Sequence, residues 1–145
     1  MRRVGLAAAL AALALSSSAQ AVQPPAFTDG EDLHVVAVKQ LSPRLFELRL
    51  TTPLLTAPTN LQILLPADYD ASPARRFPVL YLFHGTSGGA RDWTKLGDAE
   101  ATTNGRPLIT VMPDAGVESN GGGWFTDWHN GGRYGPPKWE TWHIQ

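Results

Sequence analysis

Phe77-Pro78-Val79-Leu80-Tyr81-Leu82-Phe83-His84-Gly85-Thr86-Ser87-Gly88-Gly89 is the stretch on which the fold turns. Val79 to Phe83 is an unbroken apolar run of β-branched and aromatic residues. It is too short to span a membrane and too continuous for a half-exposed strand. Such a run suits a strand covered on both faces, as in the parallel sheet of an α/β protein. Pro78 stands at its start, where a missing N–H costs least. His84-Gly85 ends it and a glycine-rich loop follows. In open α/β sheets, ligands bind beyond the carboxyl ends of the strands. A flexible loop there brings backbone N–H groups against a ligand.

Downstream, Asp92 is expected to cap a helix running from about Trp93 to Thr103, weakened at Gly97 and ended by Asn104-Gly105. Pro107 to Met112 reads as the next buried strand, closed by Pro113-Asp114. Strand, helix and strand make a βαβ unit with a parallel pair. Upstream, Leu33 to Lys39 and Leu45 to Leu50 read as strands of a hairpin turning at Ser42-Pro43-Arg44. The second alternates, with Leu45, Glu47 and Arg49 on one face and Phe46, Leu48 and Leu50 on the other. Asn60 to Leu65 is a third strand, stopped by Pro66. The expectation is an α/β fold with a mixed sheet, leading antiparallel strands followed by the parallel βαβ unit.

The amino terminus reads as an export signal. Arg2-Arg3 precede an Ala/Leu core from Leu6 to Leu15, and Ala19-Gln20-Ala21 is a small-x-small cleavage site. Residues 1–21 are therefore expected to be a signal peptide cleaved after Ala21, giving a secreted, extracytoplasmic protein with no membrane anchor afterwards. Residues 22–30, Pro-rich and polar, are expected to form a mobile leader, and residues 31–145 the folded domain. Without Arg2 and Arg3, ten basic residues face 13 acidic ones, a net charge of −3. No basic cluster follows the signal, which argues against nucleic acid as a partner. The chain has no cysteine, which excludes a disulfide framework and a Cys/His zinc site.

Ala115 to Pro137 is unlike the rest. Seven of the 14 glycines fall within Gly116 to Gly135, and four of the five tryptophans within Trp124 to Trp142. Disordered tracts are poor in aromatics, so Trp124, Phe125 and Trp128 point to a functional loop. From Lys138 the pattern turns helical, with Trp139, Trp142 and His143 on one face.

Four motifs in order carry a family resemblance: Asn60-Leu-Gln-Ile-Leu-Leu-Pro with Tyr69 after it, Pro78-Val-Leu-Tyr-Leu-Phe-His-Gly, Pro107-Leu-Ile-Thr-Val-Met-Pro-Asp, and Gly123-Trp-Phe-Thr-Asp-Trp. Together they resemble the amino-terminal part of the esterase D-type branch of the α/β-hydrolases. That branch includes S-formylglutathione hydrolases, feruloyl esterases and antigen 85 mycolyltransferases, and the last motif is similar to a segment of the antigen 85 group. The resemblance implies an α/β-hydrolase fold and a Ser–His–Asp/Glu enzyme, a hydrolase or acyltransferase acting on small-molecule, lipid or sugar esters without a cofactor. It also implies that the loop after His84-Gly85 is the oxyanion loop, with the Thr86 backbone N–H as a donor. The nucleophile elbow, the acid and the histidine are expected beyond the helix that starts near Lys138. Residues 31–145 are accordingly expected to be an incomplete domain without turnover of its own.

Gly85-Thr86-Ser87-Gly88-Gly89 itself fits G-x-S-x-G, and Ser87, Asp114 and His129 follow the chain order of an α/β-hydrolase triad. An elbow serine is followed at once by helix, however, and Gly88-Gly89 is a poor helix start. Among other candidates, His84 either contacts substrate or holds the loop by hydrogen bonds. Ser87, in the same loop, is expected to contact substrate. Trp128 and His129 either line the acyl or acceptor pocket or pack. Asp127 either pairs with Arg133 or accepts loop N–H groups. A reading from another class is a secreted non-catalytic module that binds sugar or polymer on its Trp/Gly-rich loop. An unpaired strand edge and exposed apolar faces are expected to make the chain alone prone to aggregation.

Overall fold

The computed structural model describes residues 21–71, 73–116, 124–129 and 138–144. Of the expected signal peptide, all but Ala21 lies outside the described residues. Among the described residues, no helix is long and apolar enough to cross a membrane.

Five strands, β1 (His34–Gln40), β2 (Leu45–Thr51), β3 (Thr59–Leu64), β4 (Val79–Tyr81) and β5 (Ile109–Pro113), form one mixed sheet in the order β1-β2-β3-β5-β4. β1, β2, β3 and β5 pair antiparallel, and β4 pairs parallel with β5, with Val79 beside Ile109 and Tyr81 beside Val111. The hairpin and the βαβ unit expected from the sequence are both present.

The alternation in β2 separates two cores. Phe46, Leu48 and Leu50 enter a cluster with Val22, Leu55, Leu65, Ala115, Trp139 and Trp142 on one face. Leu45 joins Leu64, Met112 and Ala99 on the other. The first face is covered by α3 (Trp139–Ile144), whose buried residues are Trp139 and Trp142, as the 3.6-residue spacing requires. The second is covered by α1 (Asp92–Lys95) and α2 (Ala99–Thr102).

Three expectations are corrected. The single helix from Trp93 to Thr103 is two short helices. Gly97 lies against the Trp93 ring, where an added Cβ would come within 2.8 Å of Cε3, and Asp98 adopts a left-handed φ of 48°. Asp92 is the first helical residue; the N-cap is Arg91, without a side-chain cap. Of residues 22–30, expected as a mobile leader, Val22 and Phe27 pack on the sheet while most of the others are exposed. Val22 is buried and its N–H donates to the Pro43 carbonyl at 2.7 Å, while the Phe27 ring lies 5.8 Å from Phe46. The Pro-rich composition masked this because one buried valine and one aromatic ring carry the docking.

The third correction concerns the organising strand. β4 stands at the sheet edge, and Val79, Leu80 and Tyr81 are exposed rather than covered. The apolar run encodes a two-sided burial that these residues do not supply.

Polar ties hold the layers in register. Arg44, buried at the hairpin turn, donates to the carbonyls of Glu100 and Thr103 at the carboxyl end of α2, where a cation also complements the helix dipole. Glu47 on β2 takes two bonds from Arg91, at 2.5 and 2.6 Å, and one from Gln62 at 3.0 Å. The Gln62 side-chain carbonyl in turn accepts from the Thr94 hydroxyl.

Candidate functional site

The loop after β4 is built by hydrogen bonds that fix each group's role. Gly88 N–H donates to the Gly85 carbonyl at 3.1 Å, closing a four-residue turn. Ser87, third in that turn, has a φ of 60°, the pattern of a type II turn. Thr86, second in the turn, is exposed, and among the described residues no acceptor takes its amide. Thr86 thus holds an exposed, uncommitted N–H beyond the carboxyl end of β4.

His84 holds this turn. Its Nε2 lies 2.9 Å from the Ala115 amide nitrogen and its Nδ1 lies 2.8 Å from the Gly85 carbonyl oxygen. An amide N–H only donates and a carbonyl only accepts, so Nε2 is bare and Nδ1 carries the proton. That is one defined neutral tautomer, with both ring nitrogens occupied. Of the two roles open to His84, the loop-holding one is what the structure displays. The Asp114 carboxylate sits 3.6 Å from Nε2 and accepts the Gly116 N–H at 3.0 Å. A Cβ at Gly88 would meet Asp92 Oδ2 at 2.2 Å, the Gly85 carbonyl oxygen at 3.0 Å and His84 Nδ1 at 3.1 Å, so a side chain there requires Asp92 to move.

The alternative triad is not assembled. Ser87 occupies a turn corner followed by Gly88 and Gly89 rather than by helix. The imidazole facing Asp114 belongs to His84, and both of its nitrogens are already bonded. His129 and Trp128 are exposed on the segment 124–129. Asp127 of that segment accepts from the Thr141 hydroxyl at 2.6 Å and the Thr141 amide at 3.0 Å. These bonds hold its carboxyl below the usual carboxylate range, the hydroxyl contributing most. They tie the segment to the first turn of α3, so Asp127 takes the N–H-accepting role; Arg133 lies outside the described residues.

Two residues that the sequence placed only in the aromatic loop and on the packed helical face, Phe125 and His143, stand beside His84 and Asp114. Phe125 places its ring 5.0 Å from His84 and 4.7 Å from Phe83. His143 of α3 sits 5.1 Å from Phe125, with Nδ1 on the Trp139 carbonyl and Nε2 3.2 Å from the Asp114 carbonyl. Burial holds the His143 imidazole below its ordinary value, against the pull of those two carbonyls. The helical spacing placed His143 on the packed face, but nothing local identified its partner on β5. Among the described residues, no cluster of His, Asp and Glu could hold a metal ion.

A family profile described as "Putative esterase" matches residues 53–145. Two relatives from Mycobacterium tuberculosis, Esterase MT1326 of strain CDC 1551 / Oshkosh and Esterase Rv1288 of strain H37Rv, are each 39% identical over 119 residues. The alignment covers 81% of this chain and 25% of each relative, so the chain spans about a quarter of their length. Among solved structures, a ferulic acid esterase matches with a TM-score of 0.48 at 22% identity, over 51% of this chain and 30% of that one. S-formylglutathione hydrolase FrmB from Staphylococcus aureus matches with a TM-score of 0.42 at 24% identity, over 50% and 30%.

Proposed function

Because the chain belongs to the esterase family, we propose that it contributes the oxyanion loop of a secreted serine carboxylic-ester hydrolase or acyltransferase. The observation that carries this reading is the exposed, uncommitted amide of Thr86 at the end of β4. A serine hydroxyl attacks the acyl carbon, and the carbonyl oxygen becomes an oxyanion that Thr86 N–H stabilises as charge develops. Backbone donation does not depend on the side chain, so threonine serves as well as another residue. The attacking serine and its histidine and acid lie outside the described residues. Substrates are small-molecule, lipid or sugar esters, and secretion follows from the signal-like residues 1–21.

Thr86 is the second residue of its turn, a position that favours proline in type II turns. Thr86→Pro therefore deletes the donor while suiting the turn. In the longest natural form of the protein, Thr86→Pro is expected to lower kcat on p-nitrophenyl esters by about 10²–10³-fold, with Thr86→Ala close to the parent. Equal activity of the two variants would remove the oxyanion reading. The 145-residue chain alone is expected to show no turnover, and serine-dependent activity lost in Ser87→Ala would overturn the placement of the nucleophile.

A second reading, a non-catalytic module binding sugar or polymer, is favoured by one observation: Trp124 is 59% exposed, and indole faces suit sugar stacking. Retention on a polysaccharide resin, lost in Trp124→Ala, is its signature.

A further inference from the structure

Two consecutive bulky residues near the candidate site have left-handed backbone. Trp124 and Phe125 have φ values of 50° and 54°. For a bulky side chain this left-handed region is an outlier, kept only where the surroundings over-determine it. For Phe125 the surroundings are visible. Its ring packs between Phe83 at the end of the β4 run, His84 in the loop, and His143 on α3, at 4.7, 5.0 and 5.1 Å. Asp127, two residues on, anchors the same segment to α3 through Thr141. The turn is therefore held by the Phe125 ring and by Asp127, and what it delivers is one aromatic ring against the imidazole of His84.

That contact matters because of what His84 does. Its ring must keep one orientation and one tautomer to donate to the Gly85 carbonyl and accept from the Ala115 amide at once. A flip about the ring bond breaks both hydrogen bonds and frees the turn that presents Thr86. We propose that Phe125 is a positioning residue for the oxyanion loop, acting through His84: its ring bars the imidazole from rotating, and so keeps the Thr86 N–H aimed. The proposal rests on the esterase reading of the loop. It makes the docking of the aromatic segment and of α3 a condition for a competent oxyanion site.

The test reads His84 directly. With 15N-labelled histidine above neutral pH, long-range proton–nitrogen correlation shows which ring nitrogen carries the proton. The parent is expected to show His84 protonated on Nδ1 alone, with exposed His129 as the control. In Phe125→Ala the two His84 nitrogens are expected to converge, and amide exchange at Thr86 to speed up. Phe125→Tyr restores both. Phe125→Gly, at ease at a positive φ, keeps the turn without the ring and is expected to behave as Phe125→Ala.

In the longest natural form, Phe125→Ala is expected to lower kcat by about 10–10²-fold, with KM changed by no more than about twofold. Retention of the Nδ1–H tautomer in Phe125→Ala or Phe125→Gly, or an unchanged kcat, overturns the proposal. So does unfolding of both variants, which would make the ring a core prop. The ring signals need no substrate, so a missing lock appears in the spectra, whereas failure of the esterase reading appears as absent turnover in the parent.

Discussion

The Ala115 amide donates to Nε2 of His84 at 2.9 Å, so the end of β5 and the loop after β4 share one hydrogen bond. Ala115 is 1% exposed. Its N–H has no water to turn to when the imidazole is removed, and a buried donor left unsatisfied costs about 1–3 kcal/mol. His84→Ala is expected to lose that much stability in urea unfolding at an unchanged m-value. A loss no larger than that of an exposed His34→Ala control would mean that the bond does not brace the loop.

Glu47 provides a separate test on the opposite face of the sheet. Arg91 first, and Gln62 second among the favourable partners, hold its carboxyl below the usual carboxylate range. A depressed folded-state value means that the unfolded chain binds the proton first as pH falls. The stabilisation is present above about pH 4.5, the ordinary value, and is lost as pH drops through the folded value. Because Arg91 is half exposed, solvent screens the pair, and Glu47→Gln is expected to cost about 1 kcal/mol near neutral pH. The difference between parent and variant should shrink in acid; a constant difference from neutral pH down to acid would argue against the ion pair.

His143 titrates in a higher window. Its folded-state value is lowered, chiefly by burial, so the unfolded chain takes up the proton first as pH falls past about 6.5. Stability is therefore full above that point and declines below it. The groups facing the ring are His84, Phe83, Phe125, Trp139, Trp142 and the carbonyl end of Asp114. Thermal melts are expected to shift down between neutral and mildly acidic pH, and less so in His143→Gln. An equal shift in both proteins would place the sensitive group elsewhere.

What the sequence made legible follows from the range of the interactions. The alternation of β2 fixed its two faces because period two is a property of the strand alone. The Ser42-Pro43-Arg44 turn and the βαβ order are likewise local, and His84-Gly85-Thr86 could be placed at a strand end before any contact was known. The broken helix was less legible, because the break depends on Gly97 meeting the Trp93 ring and on a left-handed Asp98. Phe125 and His143 were missed as site residues because their partners lie about 40 and 30 positions away, at His84 and Asp114. No periodicity encodes such a contact. The exposure of β4 is the converse: composition reported what its faces are suited to meet, not what these residues place there.

That exposed edge has a measurable consequence. Val79, Leu80 and Tyr81 are 48%, 41% and 52% exposed on a strand at the sheet edge, a template for pairing with another chain. The 145-residue chain is expected to self-associate as its concentration rises. Val79→Lys should reduce light scattering and leave the circular dichroism unchanged. A parent that remains monomeric and unfolds cooperatively at high concentration would contradict this.

Gly116 links the carboxyl end of β5 to α3, and its requirement is steric. Its φ is 73°, and an added Cβ would lie 2.7 Å from Cζ2 and 3.1 Å from Cη2 of the Trp139 ring. Left-handed backbone alone costs a non-glycine residue about 1–2 kcal/mol. The ring has nowhere to retreat, since Trp139 is 7% exposed and packs with Trp142 in the first core. Gly116→Ala is therefore expected to cost about 2–5 kcal/mol, the backbone penalty plus the overpacking cost. It should also quench or shift the fluorescence of the buried tryptophans before global unfolding. Trp139→Phe shortens the ring at the point of contact, so the double variant should recover part of the loss. If the double variant is no better than the sum of its parts, the clash is not what constrains Gly116, and α3 is held to β5 by the His143–Asp114 contact instead.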